Sequence, residues 1–426
     1  MMLTDGLFGD EDLERLMTAP CQINAICLVE SALARCQGRL GVIPAKAAAE
    51  IEERIGKRRI DPADLLGPVA CSGIATQAVV AALKKECGDN ADWVHFGATS
   101  QDIEDTALVI CLVEALRIIE ERLVKLDRQL AAKAERFADL AIPARTRFQL
   151  AAPTTLGAKI AVWRAPLRRH LERLAELRIR LFKVSFHGAA GTGAALGPDM
   201  ARVRRALAKE LNLGADDVPW HSARDNIAEL AGWLAMLCGS LGKIGTDLIL
   251  LGQSEIAEVS AGSGGGSSTM PQKSNPVATE ALVSIARLNA GAAGALYQAM
   301  IHAQERDGSA LAIEWRVLPG MVIHSGAALR LANGLADSLS ADPKAIQKTF
   351  DADRGAMLAE AAGFHLARFM PRQEALGLVR QALAEMAANG GETLPEALSR
   401  LVPGHDWDEI LAFENNTGDA VGQARS

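Results

Sequence analysis

Ser267, Ser268, Lys273 and Asn275 fall within nine positions of one another, directly after residues 262–266, four of which are glycine. A hydroxyl supplies a nucleophile or a base, the ammonium supplies charge, and the amide adds donors. The glycines open positive φ to the backbone at the expense of packing. The set suits the handling of an anion behind a moving loop. Glycine and serine alone would equally make a solvated linker, but the Met-Pro-Gln-Lys-Ser-Asn-Pro of residues 270–276 is not linker composition.

The elements that must carry this loop are helical. Aromatic residues make up 4% of the chain, with Tyr297 the single tyrosine, and the abundance of alanine, leucine, glutamate and arginine favours helix over strand. From Asp225 to about Val259, Ile227, Leu230, Leu234, Leu237, Leu241, Ile244, Leu248 and Leu251 recur at steps of three and four, one long buried stripe. Similar patterns over roughly Asp105 to Leu140, Thr155 to Val184 and Asn275 to Ala303 predict four long helices side by side. The fold expected is all-α. Shorter helices precede the bundle, interrupted at Asp61-Pro62 and Gly67-Pro68, and a tail of short helices follows Ala341-Asp-Pro. Breaks of this kind predict three domains: residues 1–98, 99–340 (the central long-helix bundle with the loop) and 341–426. The apolar faces are wider than a coiled-coil seam, which predicts assembly into a larger homo-oligomeric bundle.

A formal charge of −7 argues against nucleic acid as a partner, since phosphate neutralisation needs a basic face. An anionic substrate would have to meet locally placed cations. No apolar stretch reads as the roughly 20 residues of a bilayer span and the N-terminus lacks the features of a signal peptide, so a cytoplasmic protein is expected. Seven cysteines without a CxxC pair, and eight histidines without metal-ligand spacing, predict neither a disulfide framework nor a metal site. No cofactor is implied.

Residues 262–276 resemble the GSSxMPxKxNP motif of the fumarase/aspartase superfamily, whose members eliminate or add groups beside a carboxylate. Two more segments extend the resemblance. His95-Phe-Gly-Ala-Thr-Ser-Gln-Asp102 is similar to the superfamily's first region, and Arg145-Thr-Arg-Phe-Gln149 with Pro153-Thr-Thr-Leu-Gly157 to its second. The resemblance implies a homotetramer in which the three segments of each active site come from three subunits. It assigns Thr99, Ser100, Gln149, Asn275 and Arg306 to carboxylate binding, with His95 and His221 as further candidates. Thr99 and Ser100 have the alternative of merely capping a helix, Gln149 and Arg306 of lying on the surface, and the two histidines of ordinary packing.

One departure narrows the activity. Where fumarases, argininosuccinate lyases and adenylosuccinate lyases read Thr-His, this chain reads Thr146-Arg147, so the histidine acid of the second region is missing. The branch of bacterial 3-carboxy-cis,cis-muconate cycloisomerases dispenses with it. Leu28 to Ala34, Pro219 to Asp225, Ser240 to Gly245, His302 to Arg306 with Glu314-Trp315, and Gly418 to Ala424 also resemble that branch. In lactone chemistry the group expelled from the enediolate is a carboxylate, which leaves unprotonated, whereas amines and hydroxide benefit from a general acid. Ser267 is then the expected proton carrier, with Lys273 stabilising its alkoxide and, together with Asn275, the enediolate oxygens. Arg147 has two readings: it reaches the third carboxylate of a tricarboxylate substrate, or it pairs structurally with a helix-borne glutamate. A C–N lyase acting on an aspartate-like adduct is the alternative activity, and an inactive helical scaffold a third.

Overall fold

The computed structural model describes residues 3–266 and 268–426, so the prediction that falls on Ser267 lies outside the described residues. Helix dominates, and the strands among the described residues form four two-stranded ladders. The longest helices are Ser100–Arg136, Leu156–Leu181, Asp225–Leu251, Val277–Gln298 and Gly308–Ser338. All eight apolar residues of the stripe read from Ile227 to Leu251 are at most 6% exposed. Each such side chain contributes about 1.5–3 kcal/mol of burial energy, which outweighs the modest helix propensities of that segment's glycines. The same helix is long and apolar enough to cross a bilayer by length and composition, contrary to the expectation that no stretch would be, and half of its most apolar window is buried inside the protein. Gly308–Ser338 is a long helix that the sequence pattern did not reveal, because Pro319 lies inside it and proline ordinarily ends a helix. Pro68 likewise sits within the Pro62–Ser72 helix instead of interrupting it. Pro62, by contrast, occupies the first turn behind an Asp61 cap whose side chain accepts the Ala63 N–H, the position proline favours.

The chain divides into two compact units, each assembled from three stretches. One comprises the residues up to Arg122, His170–Gly239 and Ser284–Leu329. Its apolar core joins the helices Ala19–Leu40, Ala45–Lys57 and Ala75–Cys87 to Ile103 at the start of Ser100–Arg136 and to Val203 and Leu207 of Met200–Glu210. The other comprises Leu123–Arg169, Ser240–Val283 and Arg330–Ser426. It holds the only sizeable strands among the described residues, Ala141–Thr146 and Gln149–Thr155, paired antiparallel with a register shift between Pro143 and Arg145.

Candidate active site

In the first unit, Thr99 and Ser100 stand at the start of the 37-residue Ser100–Arg136 helix. Neither hydroxyl has a hydrogen-bond partner among the described residues, so they are not its caps. Asp102 does that work from within the helix. Its fully buried carboxylate accepts the backbone N–H of Thr99 at 3.0 Å, of His187 at 2.8 Å and of Gly188 at 2.9 Å. The fourth partner is Nε2 of His221, at 2.7 Å. Reaching back to the N–H three residues earlier is half of a capping box; the other three bonds satisfy a carboxylate that would be expensive to bury without partners. Asp102 thereby ties the Thr99–Ser100 turn to the 187–188 loop and leaves both hydroxyls half-buried without a hydrogen-bond partner among the described residues.

His221 is therefore a buried partner of Asp102. His95, less buried and at φ +64°, meets Oε1 of the buried Glu30 at 2.5 Å through Nδ1. Arg306 is exposed, donates to Oε1 of Gln101 at 2.8 Å and to the Ala189 carbonyl at 3.1 Å, and has no carboxylate partner among the described residues. Gln101 in turn donates to the His221 carbonyl at 2.8 Å. This places an uncompensated guanidinium one hydrogen bond from the segment that carries Thr99 and Ser100. Behind it, Arg224 is fully buried and forms double hydrogen bonds with Asp105 and with Glu314 while lying 4.8 Å from the Trp220 ring. Burial pushes the Glu314 carboxyl above the ordinary range although Arg224 opposes it.

Replacing Asp102 by asparagine keeps the shape but leaves one oxygen for donors that now converge on two, and sets an NH₂ against backbone N–H groups. A loss of about 3 kcal/mol of stability is expected, read as a lower melting temperature, together with weaker binding of carboxylate inhibitors. A variant that melts and binds like the wild type would show that the carboxylate organises nothing.

In the second unit, Arg147 and Phe148 form the two-residue turn of the hairpin, both at positive φ (51° and 67°). That is the geometry hairpins prefer, but one normally filled by Asn-Gly; two side chains there cost on the order of 1 kcal/mol each. Arg147 has no ion-pair or hydrogen-bond partner among the described residues, so no helix-borne glutamate pairs with it there. Arg145, two residues earlier, grips the buried Glu258 of the loop before Val259 at 2.7 and 2.6 Å, while Thr349 donates to the same carboxylate at 2.8 Å. Gln149, exposed, pairs across the ladder with Thr146.

The glycine run is more constrained than a linker. Gly265–Gly266 pairs antiparallel with Ser274–Asn275, so the described residues 268–273 belong to the tip of a small hairpin. A Cβ on Gly264, at φ +66°, would stand 1.9 Å from Oγ of Ser274, and one on Gly265 would stand 2.5 Å from Val277. Only glycine lets the strands close. The base is tied down by the Gly262 N–H donating to Ser338 at 2.8 Å and by the Val259–Ser260 ladder with Ser340–Ala341. Lys273 and Ser268 are exposed and Asn275 half-buried. Among the described residues no group of three His, Cys, Asp or Glu side chains is placed to hold a metal ion.

The lyase family profile matches residues 21–290. The 3-carboxy-cis,cis-muconate cycloisomerase of Pseudomonas aeruginosa is 43% identical over 438 aligned positions, covering 100% of this chain and 94% of that protein. The chain belongs to the lyase family of the fumarase/aspartase superfamily. Its fold is similar to that of the 3-carboxy-cis,cis-muconate lactonizing enzyme of Pseudomonas putida, with a TM-score of 0.93 at 34% identity over 99% of this chain and 97% of the other. A fumarate lyase from Mesorhizobium gives 0.92 at 32% identity, over 98% and 97%. Within this lyase, the residues singled out by sequence reasoning include Thr99, Ser100 and Arg306, whose side chains the structure leaves without a carboxylate partner among the described residues; the reasoning did not single out the buried Asp102, Glu30, Arg145 and Glu258 that hold the surrounding segments. An aspartate three residues after a threonine was the one local signal for Asp102; the partners of the others are 65 and 113 positions away.

Proposed function

We propose that the lyase interconverts 3-carboxy-cis,cis-muconate and its carboxymuconolactone. The observation that carries this reading is the end-to-end similarity to the Pseudomonas aeruginosa cycloisomerase in a chain with Arg147, not histidine, after Thr146. In lactone closure a carboxylate oxygen of the muconate adds to the carbon–carbon double bond, electron density moves onto the neighbouring carboxylate as an enediolate, and a proton then reaches the α-carbon. In reverse the proton leaves, and the C–O bond breaks to release a carboxylate that needs no acid. Ser267 carries the proton. Lys273 and Asn275 stabilise charge that exists only near the transition state, and Thr99, Ser100, Gln149 and Arg306 hold the substrate carboxylates.

The site, in this reading, is built by three subunits of a homotetramer, which works in the cytoplasm and in which residues 1–98, 99–340 and 341–426 act as three domains. The exposure of Met236, Leu288 and Tyr297 on long helices supports a multi-chain bundle, and so does a loop tip left open to water in one chain, since an alkoxide needs a dry surround. Mixing the protein with 3-carboxy-cis,cis-muconate should bleach the conjugated-diene absorbance, and Ser267→Ala should abolish the loss. Sedimentation should give a mass four times that of the chain. No bleaching by folded tetramer would sink the muconate assignment, and release of fumarate from succinyl-amine adducts would replace it with C–N lysis.

A further inference from the structure

The last part of the second unit brings together two histidines that the reaction above does not use. His365 lies in the last turn of the Ala359–Leu366 helix, and His405 in the turn between the Leu394–Leu401 and Trp407–Ile410 helices. Gly404, at φ +94°, bends the chain just before it, and the Asp406 side chain caps the helix just after it by accepting the Glu409 N–H at 3.1 Å. Nε2 of His365 and Nδ1 of His405 stand 3.1 Å apart. Each ring packs on Trp407, at 5.5 and 5.2 Å, and on Phe369, at 5.4 and 5.3 Å. Trp407 is 1% exposed and its indole N–H donates to the Val402 carbonyl at 3.1 Å, so the pair rests on a fixed wall.

A shared proton is one way to satisfy two facing ring nitrogens, and a metal ion is another. The far nitrogens, Nδ1 of His365 and Nε2 of His405, have no hydrogen-bond partner among the described residues, and both rings are half-buried. Water can therefore receive the ring protons on that side, leaving both facing lone pairs free. Burial, helped by the nearby His405 and Arg368, lowers the His365 pKa, which favours the neutral imidazole. At metal–nitrogen distances of about 2.0–2.1 Å, nitrogens 3.1 Å apart subtend roughly 98° at the ion, close to the right angle of octahedral or tetragonal coordination. Imidazole pairs of this kind suit nickel, copper and zinc, whereas magnesium and calcium prefer oxygen.

We propose that His365 and His405 chelate a divalent ion of the nickel, copper and zinc class, with water completing its coordination. The inference does not depend on the cycloisomerase reading, and neither histidine lies in the three segments assigned to that chemistry. Nickel(II) is the probe, added to the full-length protein freed of any polyhistidine tag, since copper(II) would oxidise the exposed Cys71 thiol. One nickel per chain is expected by equilibrium dialysis, with saturable quenching of tryptophan fluorescence that Trp407→Phe removes without loss of binding. His365→Gln and His405→Gln should each weaken binding at least about tenfold, and His324→Gln, on the Gly308–Ser338 helix, should leave it unchanged. Magnesium should not compete. Nickel should raise the melting temperature of the wild type but of neither His365→Gln nor His405→Gln. Absence of saturable binding, either of those two variants binding like the wild type, weakened binding in His324→Gln, or quenching that survives Trp407→Phe would each overturn the proposal.

Discussion

Lys273→Met should lower kcat about 10³-fold while changing KM by less than about tenfold. The ammonium is assigned to charge that develops on the enediolate and on the serine oxygen, so its removal is felt in the transition state and hardly in the bound ground state. Deleting a single neutral oxyanion donor costs about 10²–10³ in rate, and a charged donor belongs at or above the upper end of that range. Loss of fold is a poor competing explanation. Lys273 is exposed, and its described contact is a backbone bond from its N–H to the Met270 carbonyl, which methionine keeps. A kcat within tenfold of the wild type would remove Lys273 from the mechanism and leave the Gly262–Pro276 hairpin without its principal cation.

Arg224→Met should destabilise the protein by about 3–5 kcal/mol, because it strands two buried carboxylates, Asp105 and Glu314, each 1% exposed. In melting temperature this is roughly 10 °C. The pH dependence follows from the same chemistry. Burial already raises the Glu314 pKa, the Asp105 charge adds to it, and the opposing Arg224 charge is gone in the variant. The folded variant therefore holds a proton more tightly than the unfolded chain, whose glutamate titrates near about 4.3. Its stability must fall as pH rises through the elevated folded pKa and recover as pH drops toward the unfolded value. A deficit larger at pH 8 than at pH 5, read by thermal melts, is the expected result; a deficit that ignores pH would mean that the lost cation–π contact and packing dominate. Replacing all three residues by apolar ones of similar volume should recover most of the loss.

How far the sequence could be read depended on how local the determining physics was. The Asp225–Leu251 stripe was legible because burial repeats at helical spacing within one segment, and the short-helix tail because Asn389-Gly-Gly and Val402-Pro-Gly punctuate it. Gly308–Ser338 was not, since a proline tolerated by its surroundings looks the same in sequence as one that ends a helix. The 141–155 hairpin was hidden for a related reason: Arg147-Phe148 carries none of the glycine or asparagine that normally announces its turn. At the candidate site, Thr99, Lys273 and Asn275 were singled out by motif resemblance, and their roles are proposals. Asp102, by contrast, draws its meaning from His187, Gly188 and His221, which lie 85 to 119 positions away. Arg145 and Arg147 illustrate the limit most plainly. Two residues apart and alike in type, one is a ladder residue that meets Glu258 and the other a turn residue at positive φ that does not.

The way each unit draws on three separate stretches governs how the protein must be made. Translation proceeds at roughly 5–20 residues per second, so the ribosome delivers the stretch ending at Arg122 well before the one beginning at Ser284 that completes the same unit. Ile26, Leu33 and other apolar side chains of the early helices share one core with Val184, Phe186, Val203 and Leu207, so they wait for neighbours synthesised well after Arg122. The nascent chain thus spends seconds to tens of seconds with adhesive surface on display, the condition under which an unfinished chain is prone to aggregate and chaperones protect it.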